Sequence, residues 1–340
     1  MITRLFTILA AFLAAASPQA EKGNIDPQAL GRQYTAWFYA GEAEKLWERF
    51  SPEMKKALTS ADNLKTFRGQ VEAQIGTETE IVSEQITPSP PYQVYLRTVR
   101  MSKAPMPVIV QFALDASGTI VGFFIRPVQE PAPSKYLEYQ TKTPLRLPFE
   151  GEWHVFWGGR TPEQNYHVVA PDQRFAYDFL VLKDGKSHTG DGSANEQYHC
   201  FGLPILASGA GTVAVVVDGL DDNKPGVMDP KNPPGNYVVI DHGNGEFSFL
   251  AHLRKGSVAV KKGDAVKPGD RLGVCGNSGN SSEPHLHYHL QTTGLFAGGE
   301  GLPAQFLDYV ADGKNVKRGE PTKGQTIRPA TKEAAPGPRG

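Results

Sequence analysis

Three histidines stand at every second position in Pro284-His285-Leu286-His287-Tyr288-His289. Strict alternation fits a β-strand, in which successive side chains take opposite faces, so the three imidazoles share one face. Imidazole nitrogen is the commonest protein ligand for a zinc-type metal, and its proton is the one most readily moved near neutral pH. A strand face carrying two or three such rings is therefore a platform for metal binding and proton transfer. The competing reading is a solvated polar face, or a chance cluster among nine histidines. The rest of the C-terminal half weighs against it.

From Leu145 to about Tyr309 the pattern is β throughout. Short apolar runs are separated by glycine turns: Leu180–Leu182, Ile205-Leu206, Val213–Val217, Tyr237–Ile240, Phe247–Leu250, Leu272–Val274 and Leu286–Leu290. Helical periodicity is absent, and the 36 glycines and 27 prolines suit a turn-rich chain. This half, residues 145–311, is expected to be an all-β domain of antiparallel sheets.

The N-terminal half differs. Met1–Arg4 is a short cationic lead, Leu5–Ala16 is apolar, and Ser17–Ala20 is small or turn-forming. That is the layout of a secretory signal peptide over residues 1–20, cleaved after Ala16 or Ala20, and it places the protein outside the cytoplasm, secreted or periplasmic. An uncleaved anchor is the competing reading. No other apolar run is long enough to cross a bilayer. Residues 25–128 then read as an α+β module: Asp26-Pro27 opens a helix that Gly41 ends, two further helices run through Leu46/Trp47/Phe50 and Leu64/Phe67/Val71/Ile75, and three strands follow at 94–100, 108–114 and 120–125. No paired carboxylates and no His/Asp set stand out in this module, which reads as a positioning or binding unit. Element order and patterning resemble the cone-shaped nuclear-transport-factor fold. A proline-rich linker covers 129–144, and the Lys/Pro/Gly-rich tail 312–340 is expected to be disordered. With 35 Lys+Arg against 36 Asp+Glu there is no electrostatic signature for nucleic acid or an anionic membrane. Cys200 and Cys275 form either one disulfide or two buried thiols.

Further chemistry-bearing residues recur in order. Asp178 lies in the aromatic run Phe175-Ala176-Tyr177-Asp178-Phe179, and His252 at the end of a strand in Ala251-His252-Leu253. Glycine-rich turns at 262–270 and 273–279 precede the histidine strand. These stretches, with Gly-x-Pro-Ile-x-Ala at 202–207, Gly-Asn-Tyr-Val-Val-Ile-Asp-His-Gly-Asn-Gly at 235–245, Val-Lys-x-Gly-Asp at 266–270 and Pro-His-Leu-His at 284–287, resemble the LytM/lysostaphin-type zinc endopeptidases that cut bacterial cell-wall peptides. The likeness spans about residues 165–292.

The resemblance implies a Zn2+ cofactor with Asp178 and His287 as ligands, His252 and His285 flanking a metal-activated water and the scissile carbonyl, and peptidoglycan peptide as substrate. His289, one strand repeat beyond, is read as a histidine behind the ligand or at the edge of the core rather than a fourth ligand. One departure stands out. The family's first histidine ligand falls on Arg174, whose guanidinium stays protonated and cannot bind zinc. Either His167 supplies the missing imidazole, or the site is dead and the domain is an inactive activator or wall-binding protein. His188 and His199 are reserve candidates. The loop 219–235 is a candidate groove wall, and its carboxylates Asp221 and Asp222, with Asp218 just before it, lack the spacing of a calcium loop. A self-contact between the two domains, with the first occluding the groove, stays open.

Overall fold

The structure is a computed structural model and describes residues 25–89 and 91–330. The expected signal peptide lies outside the described residues. The chain divides into two compact units at Val128/Gln129. No described helix is long and apolar enough to cross a membrane.

Among its described residues unit 1 holds α1 (Pro27–Ala40), α2 (Ala43–Glu48), α3 (Pro52–Leu58) and α4 (Ala61–Ile75). An antiparallel sheet follows in the order β1 (Glu78–Ser89), β2 (Tyr92–Met101), β3 (Val108–Leu114), β4 (Ile120–Pro127). The start and stop signals of α1 act as expected: the Asp26 carboxylate accepts from the amides of Gln28 and Ala29, and Gly41 closes the helix at φ 76°. The helices and sheet enclose an aromatic core in which Phe112 stacks on Phe123 at 4.5 Å and Phe38 meets Phe123 edge-on at 5.1 Å. Four helices and four strands replace the three of each expected. The seven-residue α3, capped by Ser51, is too short to show a period, and β1 exposes nearly all its side chains and so carries no apolar alternation. The module also holds a polar set that the sequence hides. Glu84 accepts from Arg32 at 2.8 Å, from Arg97 at 2.7 Å and from the Tyr95 hydroxyl, while Arg97 also pairs with Glu78.

Unit 2 is all-β. Its strands are β5 (Trp153–Trp157), β6 (Tyr177–Leu180), β7 (Pro204–Leu206), β8 (Gly211–Val217), β9 (Asn236–Asp241), β10 (Phe247–Leu253), β11 (Ala265–Val266), β12 (Arg271–Val274), β13 (Leu286–Gln291), β14 (Gly301–Leu302), β15 (Phe306–Ala311), β16 (Lys314–Gly319) and β17 (Thr326–Pro329). One antiparallel sheet runs β11-β8-β9-β10-β13-β6-β5-β17-β15-β16, with β14 on β13, and β12 pairs with β7 apart from it. The histidine strand β13 is therefore central, flanked by β10 and β6. Its other face sends Leu286, Tyr288 and Leu290 into a core with Phe179, Ile240 and Leu250. Cys200 and Cys275 lie in that core as free thiols.

Two expectations fail here for a common reason. The segment 129–144 is no free spacer, because the buried Glu246 carboxylate captures it, accepting from Tyr139 Oη at 3.0 Å, Lys142 N at 2.6 Å, Thr143 N at 2.8 Å and the Thr143 hydroxyl. The tail is ordered through Ala330. β17 sits between β5 and β15 and buries Ile327 completely. Composition reads such segments as polar, whereas a few buried side chains and satisfied backbone amides suffice to dock them.

Burial pushes the Glu246 carboxyl up, but its hydrogen bonds, those from Thr143 foremost, outweigh this and hold it below its usual value. Such a group contributes fully above its unfolded pKa of about 4.3 and loses its contribution as pH falls. Glu246→Ala should lower the unfolding free energy of unit 2 by about 3 kcal/mol in denaturant titrations near neutral pH. The stability gap between wild type and Glu246→Gln should shrink below about pH 4. A gap unchanged at low pH would show that the charge is not what holds the segment.

Candidate metal centre

Sheet register sets the centre. His287 on β13 and Asp178 on β6 are direct cross-strand partners, so both side chains leave the same face. His287 Nδ1 lies 3.0 Å from Asp178 Oδ1. The third member comes from outside the sheet. Asn165 caps a short 3₁₀ turn, Tyr166–Val169, by accepting from His167 N at 3.1 Å, and its Oδ1 also lies 2.8 Å from His167 Nδ1. An amide oxygen only accepts, so Nδ1 carries the proton and Nε2 presents its lone pair. That Nε2 is buried, has no hydrogen-bond partner, and stands 3.6 Å from Asp178 Oδ2. One donor atom from each of His167, Asp178 and His287 lies within 4.8 Å of the others.

The electrostatics follow from burial. Burial drives the His167 imidazole down to about 3 against the pull of Asp178, so the ring is neutral near pH 7. Burial raises the Asp178 carboxyl, but the imidazoles of His167, His285 and His287 outweigh this and keep it well below the carboxylate range. A lone pair and a buried carboxylate facing each other repel unless a cation lies between them. Behind them His287 Nε2 meets His289 Nδ1 at 2.9 Å, and His289 stacks on Phe249 at 4.5 Å. His289 thus braces His287.

His252 reaches the site through a bulge. In regular alternation Ala251, which pairs with His287, would face the site and His252 would turn away. Between Leu250 and Leu253 the pairing with β9 shifts, and His252 takes φ 61°. This left-handed conformation, costly for a non-glycine residue, turns the ring to 4.7 Å from that of His285 and 5.8 Å from that of His287. The Pro234 carbonyl accepts from His252 N at 3.1 Å, and the Ser278 carbonyl accepts from Nδ1 at 2.8 Å, which leaves Nε2 basic. His285 donates Nδ1–H to the Glu283 carbonyl at 2.8 Å and stands with Nε2 3.6 Å from Asp178. Ser278, the support of His252, is a residue that sequence reasoning missed, since its role lies in a backbone carbonyl.

Arg174 takes no part. Its guanidinium lies over the Phe175 ring and donates to the Arg160 carbonyl at 3.3 Å. His188 and His199 are likewise not in the cluster. Asp218 and Asp222 are occupied by the amides of Gly219, Gly256 and Val258 and of Asn277 and Lys255, so they tie loops together. The loop 219–235 does reach the groove. One side of it is a cavity of about 170 Å³ beside His252 and His287, walled by Val169, Pro234 and Phe296. The other, about 270 Å³ beside Asp178 and His285, is walled by Phe156, Trp157, Leu180 and Met228. Tyr166 and Asn280 line both.

Converging lone pairs around a buried carboxylate, at the floor of an open groove, make this a candidate metal-dependent hydrolase site. Residues 194–297 are a Peptidase family M23 domain of the LytM/lysostaphin type. That stretch holds His252, His285 and His287, whereas His167 and Asp178 precede it. The chain is 42% identical over 95 residues to the peptidoglycan DD-endopeptidase ShyA of Vibrio cholerae, covering 28% of this chain and 19% of that one. It is 33% identical over 114 residues to the DD-carboxypeptidase/endopeptidase Mpg of Neisseria meningitidis, covering 34% and 22%. The matches thus span about a fifth of these relatives. Among solved structures, a zinc containing peptidase from Vibrio cholerae overlaps 63% of this chain and 55% of its own at 17% identity and TM-score 0.26. The catalytic domain of lysostaphin from Staphylococcus simulans overlaps 44% and 86% at 19% identity and TM-score 0.27. Both superpositions are loose.

Gly235 (φ 61°) packs so tightly on Ser278 that an added Cβ would lie 2.4 Å from its carbonyl oxygen. Gly235→Ala should cost about 2 kcal/mol of unfolding free energy. It should also shift the His252 imidazole NMR signals, because the carbonyl that holds Nδ1 must move. Unaltered His252 signals would show that the ring is not positioned from there.

Proposed function

We propose that unit 2 is an exported zinc metalloendopeptidase that hydrolyses peptide bonds of peptidoglycan. The observation that carries the reading is the convergence of His167, Asp178 and His287, one potential ligand atom from each lying within 4.8 Å of the others, with His167 Nε2 buried and without a partner. Two imidazoles and a carboxylate are a donor set that zinc takes, with a position left open in catalytic sites. The fit extends outward: Asn165 fixes the His167 tautomer, and His289 can accept from His287 Nε2–H once Nδ1 is a ligand. Zinc held by these three residues would supply Lewis acidity to the scissile carbonyl and acidify a water.

The remaining chemistry belongs to the two outer histidines. Hydrolysis adds water oxygen to the carbonyl carbon, breaks the C–N bond, and delivers one proton to the departing amine. His252 and His285 each hold Nδ1–H on a backbone carbonyl and turn a basic Nε2 towards the groove. Burial keeps the His252 imidazole well below its ordinary value, so it is neutral and able to take the water proton. The partner ring, when protonated, donates to the developing oxyanion and then to the amine nitrogen. The substrate class is supported by the relatives named for peptidoglycan endopeptidase activity, and export by the leader at residues 1–20. Unit 1, with its nuclear-transport-factor-like element order, serves as an accessory module.

Metal analysis of the full chain should find one zinc per molecule. Chelation should abolish cleavage of purified sacculi, and added zinc should restore it. His167→Ala, Asp178→Ala and His287→Ala should each lose zinc and at least about a thousandfold in rate. Arg174→Ala should keep both, and His167→Ala/Arg174→His should not recover them, because position 174 faces Phe175 rather than the cluster. Hydrolysis surviving in Asp178→Ala would sink the proposal. Protein free of both zinc and hydrolysis would instead point to an inactive wall-binding domain.

A further inference from the structure

We propose that Cys200 and Cys275 are a cross-linking site, joined by an intrachain disulfide that clamps the floor beneath His252 and His285. The bond rests on the export reading above, because disulfides persist in oxidising compartments outside the cytoplasm.

The chain of 340 residues has two cysteines, and the fold brings them together. Leu203 N donates to the Cys200 carbonyl at 3.0 Å, a turn that folds Cys200 back towards the end of β12. There Cys275 N donates to the Leu203 carbonyl at 2.8 Å, and Gly202 N to the Cys275 carbonyl at 2.8 Å. The Cys275 thiol meets that of Cys200 in a hydrogen bond, and both residues are 1% exposed. A thiol is a weak donor and a weak acceptor, so two buried against each other gain little in that form.

The pair lies under both outer histidines. On its far side Cys275 bridges Leu253, and Gly276 N donates to the His252 carbonyl at 3.1 Å. Cys200 Sγ donates at 3.0 Å to the carbonyl of Pro284, the residue that leads into His285. One bond would fasten the two stretches that carry these rings. It would also anchor the preceding loop, in which Gly192 alone is buried among residues 183–197. A segment with so little core of its own opens readily unless its end is tied down.

The bond forms by exchange with an external disulfide, the oxidant of such a compartment. One cysteine thiolate attacks that disulfide, expels one thiol and leaves a mixed disulfide. The second cysteine attacks its neighbour's sulfur and expels the other half. Two electrons pass to the oxidant, and the two protons end on the thiols released. Burial pushes the Cys275 thiol well above its ordinary value, so the folded pair exchanges slowly. The bond is set while the chain folds and is kept once the core closes.

The test refolds the full chain with zinc in mixed oxidised and reduced glutathione, then denatures it and adds a thiol alkylator. The chain should take up no label and weigh about 2 Da less than the reduced protein. Reduction should lower its Tm by about 10 °C. The double variant Cys200→Ser/Cys275→Ser should melt near the reduced wild type and ignore reductant. Should that variant not fold, labelling and Tm of wild type decide alone. Two labelled cysteines in refolded protein, a disulfide-linked dimer, or a Tm indifferent to reductant overturns the proposal. A formed bond in protein that leaves sacculi uncut supports the clamp and overturns the hydrolase reading alone. Refolding needs no export, so a formed bond in a chain whose residues 1–20 fail to secrete a fused reporter overturns export alone.

Discussion

The pairing of Asp178 with His287 across β6 and β13 is the contact on which the rest depends. Because side chains alternate along a strand, that register decides at once which face of the sheet is polar and which is core. Sliding β13 by one residue would put Leu286 and Tyr288 into the groove and three imidazoles into the core with Phe179 and Leu250. The apolar face therefore enforces the polar one: the hydrophobic pattern that folds the sheet also aligns the carboxylate with its imidazole.

A site assembled this way is electrostatically unfinished. Lone pairs from His167, His252 and His285 point at or near one buried carboxylate, and each ring has its proton drawn to the opposite nitrogen by an acceptor behind it. Desolvation then keeps His167 and His252 neutral. The supports are backbone carbonyls, one amide side chain and a further histidine, all rigidly placed, so the rings are held for function at some cost in strain. The left-handed backbone at His252 is the clearest instance. It contributes nothing to the sheet and serves only to re-aim one ring.

The parts beyond the centre follow a similar economy. The buried Glu246 carboxylate and the Thr141 hydroxyl, which donates to the Pro303 carbonyl, dock the proline-rich approach to unit 2, and strand pairing, the buried Pro321 and Ile327 and the Arg160–Glu320 ion pair dock the tail. Neither segment has the composition of a folded element. Each is ordered by the surface it meets.

Much of the centre was legible in the chain itself. The alternation 285–289 determined a strand with its imidazoles on one face, the carboxylate at 178 sat in an aromatic strand, and Arg174 excluded itself as a ligand because a guanidinium has no lone pair to give. These are local properties, fixed by covalent chemistry and by the period of a strand. Other features were decided by tertiary structure alone. That His167 lies beside Asp178 depends on a 3₁₀ turn folding back over the sheet, and that His252 faces inward depends on a bulge set by where β9 pairs. The ordering of residues 129–144 and 312–330 came from partners distant in sequence. Patterns report how a segment meets its immediate neighbours, whereas these outcomes depend on which backbone groups, far along the chain, remained to be satisfied.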